Sequence, residues 1–178
     1  MRILKGILIG LAALFALVLI AALFVDGKVN YSKSVEINAP VDKVWANVST
    51  LRALDSWSPW NEGDPNMEKT WEGEDGQPGS RQCWNGNKEV GSGCQTIISV
   101  NPPNKIETRI QFFEPYESEA DAAVLLEPSA TGTNATWSFA SEMPYPWRIS
   151  KLFMNMGKML DPDFTKGLNK LKTLSEKP

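Results

Sequence analysis

Hydrophobic and polar positions follow three different rhythms along this chain, and each marks a different kind of structure. From Ile7 to Val25 there is no alternation: ILIGLAALFALVLIAALFV carries no charged or strongly polar side chain. At about 1.5 Å per residue such a helix covers about 28 Å, close to the hydrocarbon thickness of a bilayer. A helix packed in a water-soluble core keeps a polar face, and this run has none. Arg2 and Lys5 precede it and Asp26 follows, so the positive-inside rule puts residues 1–6 in the cytoplasm and the rest of the chain across the membrane. The competing reading is a cleaved leader. Cleavage needs small residues one and three positions before the cut, which Ala22-Leu23-Phe24 does not supply, and the run exceeds a leader's usual apolar core. The expectation is a single-pass anchor over 7–25, with an extracytoplasmic domain over 29–175.

The second rhythm has period two. Val29, Tyr31, Lys33, Val35 and Ile37 share one face of an expected strand, which Ala39-Pro40 ends. A short helical patch interrupts it, with Val41, Val44, Trp45 and Val48 at helical spacing and Pro40 at its start. Trp57-Ser58-Pro59-Trp60 breaks regularity, and 59–66 reads as loop. Strand signals then run from Met67 to Met143. Expected single faces are Cys94/Thr96/Ile98/Val100, Ile106/Thr108/Ile110/Phe112, Ala120/Ala122/Val124/Leu126 and Ala135/Trp137/Phe139. Turn signals at 85–87 and 101–104 separate them, as in an antiparallel meander with one packed face and one wet face.

The third rhythm is helical. Leu152, Phe153, Met156, Met159 and Leu160 form a stripe that Phe164, Leu168 and Leu171 continue, with Asp161-Pro162 read as a helix restart. Strand, short helices, about six strands and one long terminal helix make an α+β domain: a curved antiparallel sheet wrapping the last helix. Where sheet and helix diverge, side chains or a ligand must fill the space.

Four stretches carry a resemblance. S-x-x-I-N-A-P-x-x-x-V-W (Ser34 to Trp45), W-S-P-W (57–60) and W-N-G-x-x-x-V-G-x-G (84–93), with the ending D-F-x-K-G-L-x-x-L-K (Asp163 to Lys172), are similar to the START-type helix-grip superfamily. Within it they resemble the SRPBCC, or polyketide cyclase/dehydrase, group. The resemblance covers about Val29 to Leu174. It implies the helix-grip fold and a group that includes lipid carriers, receptors, cyclases and co-chaperones, and it brings no catalytic motif to any residue here.

Composition narrows the chemistry. The 178 residues include 18 Lys+Arg and 21 Asp+Glu, a net charge of −3, which disfavours nucleic acid as a partner. There is no histidine, which removes Ser-His-Asp and Cys-His catalysis, and two cysteines cannot complete a four-ligand zinc site. No metal and no cofactor is expected. Residues 54–142 carry 15 acidic and 5 basic side chains, and residues 147–178 carry 3 acidic and 7 basic. That asymmetry reads either as solvated strand faces or as an acidic mouth facing a basic helix.

The expected ligand-binding residues are Trp57, Trp60, Trp71, Trp84, Phe112 and Trp137 on the sheet and loops, Phe153, Met156 and Met159 on the helix, and Arg109 as a polar anchor. Each has a plainer reading as core or surface. Cys83 and Cys94 face each other if the hairpin turns at Lys88-Glu89, which would permit a disulfide in an oxidising compartment; a turn at Asn85-Gly86 would leave free thiols. Three functions follow: membrane-anchored binding of an apolar small molecule or lipid, a cyclase or dehydrase acting on a polyketide-like substrate, or an interaction or stress protein with a filled interior. The sequence names no protein partner.

Overall fold

A computed structural model describes residues 2–177. It opens with a long helix, α1 (Arg2–Leu23), whose apolar side chains are almost all uncovered. Among the described residues this is the one helix long and apolar enough to cross a membrane. It starts before and ends before the expected 7–25 span, because Arg2 and Lys5 suit a helix as well as the apolar run does.

The chain then forms β1 (Lys28–Ile37), two short helices α2 (Val41–Trp45) and α3 (Leu51–Ser56), a 3-10 turn (Pro59–Glu62), and six further strands. These are β2 (Glu68–Glu72), β3 (Arg81–Asn85), β4 (Ser92–Asn101), β5 (Lys105–Glu114), β6 (Ser118–Pro128) and β7 (Thr133–Glu142). A second 3-10 turn (Trp147–Leu152) leads into α4 (Met156–Ser175). The seven strands form one antiparallel sheet in the order β1-β7-β6-β5-β4-β3-β2. The meander is as expected, with β1 returning to pair with β7, so β1 and β2 are the two edges and α2 and α3 bridge between them.

Local chemistry explains the bridge. Thr50 caps α3 by accepting from the Ala53 amide at 3.0 Å, and the Asp75 carboxylate accepts from the Leu51 and Arg52 amides. Val44, Val48 and Leu51 bury their side chains beneath the sheet.

The core joins Ile37, Ile97, Ile106, Val124, Leu126 and Trp137 of the sheet to Phe164, Leu168 and Leu171 of α4. Trp137 stacks on Phe164 at 4.1 Å, and Trp57 meets it edge-on at 4.9 Å while donating its indole N–H to the Asn47 carbonyl. Gly167 makes this approach possible: a Cβ there would lie 2.9 Å from the Trp137 ring.

Two expectations change. A register shift between Ile97 and Ser99 puts two β4 residues against one of β5. The inner face of β4 is therefore Gln95, Ile97 and Val100, while Ile98 is exposed, instead of the single Cys94/Thr96/Ile98/Val100 face. The helix also does not restart at Asp161-Pro162. Asn155 is the N-cap, accepting from the Lys158 amide at 3.1 Å, and Pro162 lies inside α4. Proline there forfeits one intrahelical bond, and the burial of Phe164, Leu168 and Leu171 carries the helix through it. Asp161 instead accepts from the Tyr31 hydroxyl at 2.5 Å and the Lys33 ammonium at 2.7 Å, tying α4 to β1. That hydrogen bond pushes the Tyr31 phenol up to about 12. The bonds from Lys33 and Tyr31 hold the Asp161 carboxyl below its ordinary range.

Candidate functional site

Between the sheet and α4 lies a cavity of about 330 Å³. It does not fill the interior evenly. Ala122 and Phe139 line it, whereas Leu126 and Ala135, further along the same two strands, are sealed core. The registers place Phe112 beside Ser118, Ala120 beside Ser141, and Lys28 beside Glu142. The cavity runs along β5 from Ile106 to Phe112, is walled by β3 to β7, and has no lining residue on β1. The β3–β4 loop contributes Glu89 and Val90.

Most of the wall is apolar. Trp57, Trp60 and Trp137 form an aromatic corner, with Trp60 meeting Trp137 at 5.7 Å. Trp84 and Phe112 form a second, edge-to-face at 6.0 Å. Gly93 sits opposite Trp84, and a Cβ there would lie 2.6 Å from the indole, so only glycine lets this tryptophan lie flat over β4. On α4 the wall is Leu160 and Phe164.

A polar strip crosses this apolar surface. Asp55, at the end of α3, forms an ion pair with Lys69 at 2.7 Å and accepts from the side-chain amides of Asn61 and Gln82. Gln82 stands directly across from Gln95 in the β3–β4 register, and Gln95 donates to the Thr108 hydroxyl at 2.9 Å. Thr108 passes its own proton toward the Ala122 carbonyl. A carboxylate only accepts, so the Gln82 nitrogen must point at Asp55. Because the Thr108 hydroxyl gives its proton to the Ala122 carbonyl, its oxygen is the acceptor, and the Gln95 nitrogen points at it. The carbonyl oxygen of each glutamine then accepts no hydrogen bond from any described residue. Two acceptors on a cavity wall suit a ligand that brings a donor, such as a hydroxyl.

Of the residues expected at a site, Trp57, Trp60, Trp84, Phe112 and Trp137 line this cavity. The other five do not. Trp71 packs half-buried at the core edge beneath the Arg52 guanidinium, 4.3 Å from its ring. Arg109 is on the outer face of β5, paired with Asp121 at 2.9 Å, because it alternates with the inward Thr108 and Ile110. Phe153 and Met159 are exposed and Met156 half-buried, outside the cavity, because the helix begins only at Met156 and turns its buried face toward Leu160 and Phe164. Cys83 and Cys94, on the outer face, stand in register and are bonded at 2.05 Å. The sequence pattern does not single out the polar strip, although the same hairpin pairing that sets Cys83 against Cys94 also sets Gln82 against Gln95.

A curved antiparallel sheet gripping a terminal helix, with a cavity between them, defines the helix-grip class of α+β proteins. Residues 28–176 match the family described as polyketide cyclase/dehydrase and lipid transport, and the chain belongs to that family. No curated protein matches the chain. Solved structures share the fold at low identity. A protein from Chromobacterium violaceum superposes with a TM-score of 0.59 at 13% identity, covering 85% of this chain and 99% of that one. The di-domain ARO/CYC StfQ of the steffimycin biosynthetic pathway gives 0.61 at 12% identity, over 84% of this chain and 51% of that one. Ara h 8.0201 gives 0.56 at 13% identity, over 83% and 99%.

Proposed function

We propose that this protein is a membrane-anchored binding module that holds one apolar small molecule or lipid-derived molecule carrying a hydrogen-bond donor. The observation that carries the reading is the cavity itself: about 330 Å³, walled by aromatic and aliphatic side chains and crossed by one polar strip. Pockets of about 300–1,000 Å³ with few polar groups are typical small-molecule sites. Burial of an apolar body drives uptake, and the open carbonyls of Gln82 and Gln95 select a ligand with a hydroxyl or N–H.

The α1 helix supports anchoring, with the domain on the far side of the membrane. The Cys83–Cys94 bond fits an oxidising compartment. A cyclase-type reaction is the second reading, favoured by the likeness to StfQ and by the presence of Asp55 on the wall. Asp55 is engaged by Lys69, Asn61 and Gln82, which supports a role in positioning over one in proton transfer.

The test is a titration of the full chain in nanodiscs with an environment-sensitive fluorescent hydroxy fatty acid. Ala122→Trp, which fills the cavity, is expected to weaken uptake by about tenfold or more. Gln82→Leu with Gln95→Leu keeps the volume and is expected to erase the preference for the hydroxylated probe over its deoxy counterpart. Uptake unchanged in both variants would overturn the proposal.

A further inference from the structure

The stretch between β7 and α4 presents an apolar surface that the cavity does not use. Trp147, Leu152, Phe153 and Met154 are all exposed, Trp147 and Phe153 at 70% and 86%. Met159 adds to them from the first turn of α4. Isolated apolar side chains on a surface are ordinary, but a run of them in a dozen residues marks something that covers them.

Its position relative to α1 identifies the cover. Tyr145 donates its hydroxyl to the Leu19 carbonyl at 3.3 Å, and Lys151 donates to the backbone carbonyls of Asp26 and Lys28. Ala22 is fully buried against the domain. Leu19 is four residues inside the end of α1, about 6 Å along the helix axis. The 3-10 turn Trp147–Leu152 therefore packs against the end of α1, with Tyr145 beside its last turn and Lys151 at the residues that follow it. If α1 crosses the bilayer, the stretch is level with the layer in which the helix emerges.

The side chains suit that layer. Aromatic residues and lysines concentrate at the membrane–water interface. Between Trp147 and Leu160 the charged residues are Arg148, Lys151 and Lys158, with no acid until Asp161. Lys158 has no ion pair among the described residues. Asp26 is the carboxylate closest in chain to α1, and it is partly offset by Lys151, Lys28 and Arg148.

We infer that residues 147–159 dock onto the bilayer that holds α1, with their aromatic and aliphatic side chains in the interfacial layer and Lys158 on anionic headgroups. The docking rests on the anchor reading and adds to it. It fixes the domain against the membrane by two attachments.

Single cysteines test this in the full chain, because the native pair is bonded and adds no free thiol. Leu14→Cys, Phe153→Cys and Ala130→Cys are each labelled with an environment-sensitive dye in phosphatidylcholine–phosphatidylglycerol vesicles. Ala130 lies on the β6–β7 turn, at the far end of β1, about 30 Å from Lys28. The inference expects the label at 153 to shift to the blue, to be quenched by a nitroxide carried near the lipid headgroup, and to resist aqueous iodide. The label at 130 is expected to remain open to iodide. A label at 153 that is open to iodide and indifferent to the lipid nitroxide overturns the docking, whatever position 14 reports. Position 14 in water with 153 in lipid removes the anchor and leaves the docking standing.

Discussion

At the scale of single residues, two glycines do as much as any side chain. Gly167 lets α4 close on Trp137, and Gly93 lets Trp84 lie over β4. Alanine at 167 gains about 1 kcal/mol of helix propensity, but its methyl meets a buried ring that Phe164 and Trp57 already hold from other sides. Overpacking of that kind costs about 1–3 kcal/mol. Gly167→Ala is therefore expected to lower stability, read as a fall in the denaturant midpoint at unchanged slope. A rise would mean that Trp137 can move aside. The polar strip belongs to this scale as well. Gln82 and Gln95 look like ordinary strand surface in the sequence, since a glutamine on an alternating segment normally faces water. They become cavity groups only because the hairpin turns the face of Trp84 inward.

At the scale of elements, the 3-10 turn carrying Trp60 is held to α4 by one acid. Glu62 accepts from Lys166 and Lys170, and those bonds hold its carboxyl at about 2, below the ordinary 4.5. A lowered carboxyl contributes stability above its unfolded value and loses it as pH falls through the folded one. The clamp is thus fully present above about 4.5 and gone near 2. These side chains are exposed, so the effect is modest and screened by salt. In thermal unfolding, Glu62→Gln is expected to melt below the wild type at neutral pH and to converge with it toward pH 2. An equal gap at both ends would contradict the clamp.

The elements also show what the sequence can and cannot carry. β5, β6 and β7 follow strict alternation, and Ile106, Val124 and Ala135 are buried as that alternation requires. β4 departs because a bulge changes its parity, and no residue type announces the bulge in advance. The helix stripe misleads for a related reason. Phe153, Met156 and Met159 have helical spacing with Leu160, but Asn155 starts the helix later, and spacing does not say which apolar face the core will take. The aromatic corner was legible because Trp57 and Trp60 flank a proline in a segment too irregular for any other use.

At the scale of the molecule, the hydrophobic helix, the aromatic-lined cavity and the disulfide make a consistent arrangement. The compartment is checked by a simple measurement. Peptide mapping of the protein recovered from its membrane without reductant is expected to find the Cys83 and Cys94 peptides joined. Recovery of two free thiols would place the domain on the reducing side.

Native mass spectrometry of the full chain, released from its own membrane by gentle activation, addresses the central claim most directly. The account predicts a wild-type protein carrying one small apolar molecule in addition to any peripheral lipid, and an Ala122→Trp variant that has lost it. Wild type and variant emerging with the same adducts, or both bare, would contradict a cavity built to hold a ligand.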